Sequence, residues 1–414
     1  EGRLIGVKRS AMNDILKGLR IVEGSAFVAA PLGGMTLAQM GADVIRFDLI
    51  GGGLDYKRWP VTGDDKSIYW ATMNKGKRSL AINLREAEGQ EIIAALITAP
   101  GPEAGIFLTN LQVRPWLDYD ALKARRDDLI MLKIIGNPDA SVAVDYTVNA
   151  RTGWPYVTGP EGHDGPINNV LPGWDLTCGL TAAIGLLAAE RYRARSGQGQ
   201  LVKLSLADVA YHLTGSLGYI GDVQVNGRTR PRIGNDMYGT FGRDFSTSDG
   251  RQIMLVIVTR RHVKALGEVT GLSARLKELE KARGVDLNLE ADRWKVRSQL
   301  NEMVGAWFAG QTLAQAGAAL TEAGILWGPF RTYEQMIEED PFVSTDNPLF
   351  EDIDQPGIGR LLTPGSPLDF TALPRTEVAR GPLLGEHSDE ILSTILGMGD
   401  GEIGRLHDAG IIAG

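Results

Sequence analysis

Apolar positions over the first two hundred residues switch repeatedly between two spacings. Residues 19–23 (L-R-I-V-E) and 42–48 (A-D-V-I-R-F-D) are short buried-strand runs, and between them residues 31–40 carry apolar side chains at helical spacing. Strand, helix and strand in that order predict a β-α-β unit and therefore a parallel sheet. The alternation continues with a strand at 78–83, a helix at 86–97, and strands at 104–109 and 129–135. Residues 172–209 then give a helix of small and apolar residues, a tight G-Q-G-Q turn and a short alternating strand. The pattern predicts an α/β domain over residues 12–220.

The middle of the chain has a different texture. Residues 221–249 are rich in Gly, Arg and Asp with little periodicity, and read as a long connection or lid. A strand at 252–258 and helical patterns at 272–287 and 294–309 predict a smaller α+β domain over 221–332, with G-I-L-W-G-P at 324–329 marking its exit. Pro and Gly recur from Tyr333 until a final helical pair begins near Glu386, so residues 333–414 read as a return linker and a last helical segment.

Composition narrows the class. A net charge of −8 argues against a general nucleic-acid binder, while local basic clusters remain able to hold an anionic ligand. The single cysteine, Cys178, excludes an intrachain disulfide framework and a multi-cysteine metal site, and fits a reducing compartment. No apolar run reaches membrane-spanning length, and the opening residues lack a signal-peptide core. The expectation is a cytoplasmic protein without a membrane partner, its first eleven residues a loose or expression-derived tail.

Candidate chemistry begins with Asp175. It precedes the small-residue helix, where Asp is a favoured N-cap and where the helix dipole and free N–H groups hold a carboxylate ionised. A structural cap and a carboxylate nucleophile both fit that position. Trp174, beside it, is expected near a substrate, and Cys178, one turn on, is expected to line the core. Asp48 ends the second strand where a ribose-binding acid would sit, but the preceding turn, E-G-S-A-F-V-A-A-P, lacks the glycines that let backbone approach a pyrophosphate. A nicotinamide enzyme is rejected on that ground. The turn N-K-G-K-R at 74–78 reads either as a solvated charged turn or, with Arg85, Arg114 and Arg46, as a phosphate-contacting edge. The five histidines show no metal-ligand spacing, and none is next to Asp175 in sequence; His387 reads as a helix-start residue. No metal is expected.

Four runs, in order along nearly the whole chain, resemble those of family III CoA-transferases. They are the opening L-K-G-L-R-I-V-E-G-S-A-F-V-A-A-P-L-G-G-M-T-L-A-Q-M-G-A-D-V-I-R-F-D, the turn N-K-G-K-R-S, the segment S-G-Q-G-Q, and G-P-L-L-G-E-H-S-D-E-I-L near the C-terminus. The resemblance implies a large Rossmann-like α/β domain built from both chain ends, a smaller domain from the middle, and two copies interlocked as a homodimer. It places the family's catalytic aspartate on Asp175. Its CoA-contacting positions fall on Val28 and Ala29, on Ile82, Asn83, Leu84 and Arg85, and on Asn110, Leu111 and Gln112. Leu49, Asp118 and Ile135 stand where relatives often carry Arg or Lys, so phosphate contacts are expected from Arg85, Arg114 and Arg46 instead. The racemases of the family need a histidine that falls on Val144 here, and valine cannot carry a proton.

Within the family, the runs G-G-G-L-D-Y-K-R-W-P, V-D-Y-T-V-N, L-P-G-W-D and Y-G-T-F-G-R-D-F resemble those of mesaconyl-CoA isomerases. That resemblance implies an acyl-CoA of a branched dicarboxylate as substrate, CoA moving between its two carboxyls through an aspartyl-CoA intermediate, and no separate cofactor. The segment 232–245 is then expected to close the pocket, with Gly239 and Gly242 permitting movement and offering amides to an oxyanion. Arg230, Arg232 or Arg243 would pair with the free carboxylate, or serve as a charged surface. Two other readings remain open at this stage: an intermolecular CoA-transferase using succinyl-CoA or a similar donor, and a non-enzymatic CoA-binding protein.

Overall fold

A computed structural model describes residues 9–10, 15–112 and 114–414. Of the expected N-terminal tail, only Arg9–Ser10 lies within the described residues, as a two-residue strand parallel to Arg375–Thr376; the remainder lies outside them. The chain forms two compact units. The first comprises residues 1–152, 169–221 and 341–414, and the second comprises 153–168 and 222–340.

The first unit is organised on a seven-stranded sheet. Its principal elements in chain order are β1 (Arg20–Gly24), α1 (Ala29–Ala38), β2 (Asp43–Leu49), β3 (Arg78–Ile82), α2 (Ala87–Thr98), β4 (Ile106–Thr109), β5 (Ile130–Ile135), α3 (Asp145–Asn149), α4 (Gly173–Ser196), β6 (Gln200–Ser205) and α5 (Leu206–Ser216). Across the sheet the order is the terminal strand Ile412–Ala413, then β3, β2, β1, β4, β5 and β6. All neighbours are parallel except Ile412–Ala413, which runs antiparallel to β3.

Both faces of this sheet are covered, which is why the strands read as nearly unbroken apolar runs. Ile21, Val44, Leu108 and Leu132 point to the face that holds α1, α4 and α5. Val22, Ile45, Phe107 and Met131, each one residue out of step, point to the face that holds α2 and the C-terminal helices Ser388–Leu396 and Asp400–Asp408. On the first face α1 and α4 meet with their backbones nearly touching. A Cβ on Gly179 would lie 2.5 Å from the Ala29 carbonyl oxygen, and one on Gly33 would lie 3.0 Å from the Gly179 carbonyl oxygen. Only glycine permits that approach.

The second unit holds a three-stranded antiparallel sheet of β7 (Phe241–Ser246), β8 (Gln252–Ile257) and β9 (Leu326–Pro329), with β8 in the centre. Its core runs from Phe241 and Phe245 to Leu300, Val304 and Phe308. Two expectations are corrected here. The stretch 221–249 is not an irregular connection: it contains most of the helix Tyr219–Asn226 and all of β7. Its Gly and Asp content masked the strand because Gly242 and Asp244 interrupt the apolar alternation. The exit expected at 324–329 lies further on, since β9 there completes the sheet and the unit runs to residue 340. Residues 153–168 also belong to this unit, an excursion that no sequence pattern marked.

Candidate active site

Strands β1 to β5 are parallel, so the segments that follow them all emerge at one edge of the sheet. Strands β2 and β3 lie to one side of β1 and β4 to β6 lie to the other, which makes the crevice past the ends of β1 and β4 a topological switch point. Asn110, the first residue after β4, ties that crevice together. Its amide donates to the Ala26 carbonyl at 2.7 Å, and its oxygen accepts from the Ala26 N–H at 2.9 Å.

The residues that the family resemblance singles out for CoA gather on this edge. Val28 is the N-cap of α1 and Ala29 its first residue, both buried. Ile82 ends β3 with its side chain in the core, so only its backbone faces the edge. Asn83 turns the chain by accepting from the Arg85 N–H at 3.1 Å; Leu84 packs on the second-face core, and Arg85 is exposed. The Leu111 N–H donates to Thr109 Oγ1 at 3.1 Å, and Arg114 is exposed at the start of a short 3-10 turn.

Asp175 is the third residue of α4, not its cap. Pro172 occupies the N-cap position, and the carboxylate of Asp145, on α3, accepts the N–H bonds of Trp174 at 2.8 Å and Asp175 at 2.9 Å. The expected capping role therefore passes to Asp145. The expected electrostatics are corrected as well. Burial, and then the neighbouring Asp145 charge, push the Asp175 carboxyl up to about 7, against the opposing pull of the Arg58 guanidinium. The dipole of α4 does not hold this group fully ionised at neutral pH. Trp174 donates its indole N–H to Asn149 Oδ1 at 2.9 Å and packs on the core. Cys178 is buried, its thiol pushed up to about 12 by burial and by the Asp175 charge, which leaves it an inert core residue.

Other expected residues have different roles. Arg46 is buried within the sheet and cannot meet a phosphate: its guanidinium bonds Asp48 at 2.8 Å, Asp55 at 2.7 Å and Asn74 at 3.1 Å. The turn 74–78 is neither solvated nor an open basic edge. Asn74, Lys75 and Lys77 are buried, Lys77 Nζ lies 2.7 Å from Glu23 Oε1, and Lys75 Nζ donates to the Pro364 carbonyl. A charge pattern does not reveal that a partner waits 54 or 289 residues away. His387 is the N-cap residue of its helix, its Nδ1 accepting from the Ser79 N–H at 3.2 Å.

In the second unit, Arg232 is a structural staple rather than an available cation. It donates to the carbonyls of Pro155 at 3.1 Å and Gly165 at 2.6 Å, and to that of His163. Gly242 is a packing position inside β7, where a Cβ would lie 2.7 Å from Met237 Sδ and 2.9 Å from the Leu255 carbonyl, so it is no hinge. Gly239 makes a left-handed turn before that strand, with φ +83°. Arg230 and Arg243 line a cavity of about 560 Å³ together with Trp154, Thr158, Glu161 and Asp236.

Sequence reasoning missed four residues around Asp175. Asp145 sits in the run V-D-Y-T-V-N, and its role shows only once α3 and α4 are juxtaposed. Arg58 and Tyr69 reach the same environment from the segment after β2, and Phe27 precedes α1.

Comparison with known proteins places the chain among its relatives. The chain is 54% identical over 404 residues to a 2-methylfumaryl-CoA isomerase of Chloroflexus aurantiacus, covering 97% of this chain and 99% of that protein. It is 28% identical to a succinyl-CoA:mesaconate CoA-transferase of Haloarcula marismortui, over 91% of this chain and 95% of that one. Its fold matches a crystal structure of a CAIB/BAIF family protein from Brucella suis with a TM-score of 0.75 at 24% identity, covering 93% of this chain and all of that one. A family model described as CoA-transferase family III matches residues 16–388, and with that span the chain belongs to CoA-transferase family III.

Proposed function

We propose that this protein moves CoA between the two carboxyls of mesaconate, converting 2-methylfumaryl-CoA to 3-methylfumaryl-CoA, with Asp175 as covalent nucleophile. The observation that carries the substrate assignment is the 54% identity, end to end, to a protein that bears that activity in its name. Asp175 is supported by its family position and by a half-buried setting beside Asp145 that keeps its carboxyl basic.

The steps balance without a cofactor. An Asp175 oxygen attacks the thioester carbonyl at C1, the C–S bond breaks, and a mixed anhydride and CoA thiolate result. The thiolate attacks the Asp175 carbonyl carbon, giving an aspartyl-CoA thioester and free mesaconate. Mesaconate turns, its C4 carboxylate attacks that thioester, and the released thiolate attacks the new anhydride at C4. Dividing one difficult exchange into such steps is what a covalent nucleophile contributes. The anhydride and thioester survive only if water is excluded, so the half-buried Asp175, which sits beside the buried Asp145 and Cys178, needs further cover during turnover.

The CoA moiety is assigned to the sheet edge at Val28, Ala29, Asn83, Leu84, Arg85, Asn110, Leu111 and Arg114. An interlocked pair of copies is part of the same proposal. Large apolar side chains of the first unit are open to solvent in the single chain, among them Val142 (95% exposed), Val170 (89%) and Ile184 (68%), and a second copy is the natural cover for them.

The covalent step is tested by trapping. Hydroxylamine added during turnover should convert the aspartyl thioester to a hydroxamate, a mass change confined to the peptide that carries Asp175. Asp175→Asn should give neither adduct nor isomerisation, with a loss of at least about 10³-fold in kcat. Undiminished turnover by Asp175→Asn would refute the mechanism.

A further inference from the structure

The turn that leads into α1 holds a residue in a conformation its own side chain disfavours. Phe27 has φ +66°, in the left-handed region where Cβ crowds the following carbonyl oxygen. A bulky residue stays there only when its surroundings over-determine it, and such positions concentrate at functional sites.

Each chemical group of Phe27 has its own holder. The N–H donates to Asp55 Oδ2 at 2.9 Å. The carbonyl accepts from the Tyr69 hydroxyl at 2.9 Å. The ring lies under the Arg58 guanidinium at 5.3 Å, and the same guanidinium covers the Tyr69 ring at 5.3 Å. Asp55 is fixed in turn by Arg46 Nη2 at 2.7 Å, and both side chains are buried. Because each Asp55 oxygen meets a separate donor, an asparagine there would offer a single acceptor for two contacts.

This turn faces the proposed nucleophile. Ala29, two residues after Phe27, has its carbonyl against Gly179, and Gly179 lies one helical turn after Asp175 on the same side of α4. Two of the three holders also share the electrostatic field of Asp175. Arg58 opposes the upward shift of the Asp175 carboxyl. The Tyr69 hydroxyl is pushed up to about 12, by burial first and with Asp175 among the charges that add to it, so it stays a donor to Phe27 throughout the neutral range.

We propose that Asp55, Tyr69 and Arg58 form a clamp on Phe27 that fixes the turn before α1 against Asp175, with Asp55 and Tyr69 as positioning residues for acyl exchange. The inference rests on the reading of Asp175 as the nucleophile. The chemistry explains the need: one carboxylate serves two different carbonyls in succession, so the surface it works against must keep its shape while the freed diacid turns. Misplacement by a fraction of an ångström is costly in such a step.

A double-mutant cycle between Tyr69 and Phe27 tests the clamp. Tyr69→Phe removes the hydroxyl donor alone and should lower kcat about tenfold, with KM changing less than about twofold. In a Phe27→Gly background, where glycine adopts positive φ without support, Tyr69→Phe should cost less than about twofold in kcat. Equal losses in the two backgrounds would overturn the clamp and place Tyr69 in direct contact with substrate. Thermal midpoints of the same four proteins give a readout independent of catalysis. Phe27→Gly keeps the carbonyl that the Tyr69 hydroxyl bonds and removes only the strain, so Tyr69→Phe should lower Tm at least as much in the Phe27→Gly background as in the otherwise unchanged protein, and a clearly smaller decrement there would overturn the proposal. If the unaltered protein isomerises no acyl-CoA, the proposed function fails, and the Tm cycle still decides the clamp.

Discussion

A carboxylate used as a nucleophile must be ionised to attack and basic enough to attack well. With its carboxyl pushed up to about 7 by burial and by Asp145, Asp175 is set at that balance near neutral pH. Turnover should therefore rise with pH along a limb centred near 7. Asp145→Asn removes the like charge and keeps an oxygen that can accept from Trp174 and Asp175, so the limb should move to lower pH; a pH–kcat/KM profile reads the shift. The same group bears on stability. Its pKa is raised in the fold, so below about 4 it is protonated in both folded and unfolded chains and carries no penalty. As pH climbs to 7 the unfolded chain ionises first, and the fold loses stability that it does not recover above 7. Asp175→Asn should accordingly be more stable than the parent at pH 8, by up to about 4 kcal/mol, with the difference largely gone near pH 4 in urea titrations.

Between elements, the contact that matters most is the glycine seam of α1 and α4, which sets Asp175 against the turn at Phe27. Gly179→Ala would place a methyl 2.5 Å from a backbone oxygen that cannot step aside, so the helices must separate. The expected cost is about 2–3 kcal/mol in a denaturant titration, with a fall in kcat larger than the change in KM. The periodicity that predicts β1 to β6 is legible because both sheet faces are buried and the strands are correspondingly apolar. Their observed limits, such as Asp43–Leu49 for the run at 42–48, differ by a residue or two. β7 is hidden in the sequence because Gly242 and Asp244 break its apolar alternation. At the site, the place of Asp175 at the start of α4 is legible in the sequence, but the cap is not, because capping by Asp145 is a contact across thirty residues that spacing cannot reveal. Arg46 and Lys77 were misplaced for the same reason: their partners Asp55 and Glu23 turn apparent surface charges into buried ion pairs.

At the scale of the whole molecule, the sheet edge and the helix bearing Asp175 both belong to the first unit, which draws on both ends of the chain. Membership in CoA-transferase family III leaves one distinction to chemistry: whether the acid released from CoA stays or departs. The isomerase reading requires that it stay. The most direct measurement supplies the purified protein with 2-methylfumaryl-CoA alone and resolves the two thioester isomers by chromatography, with isotopically labelled free mesaconate added in parallel. The account predicts conversion to 3-methylfumaryl-CoA with no label entering either thioester. Absence of conversion, or conversion in which the label enters the product as fast as the product forms, would contradict it and assign the protein to transfer between separate acids.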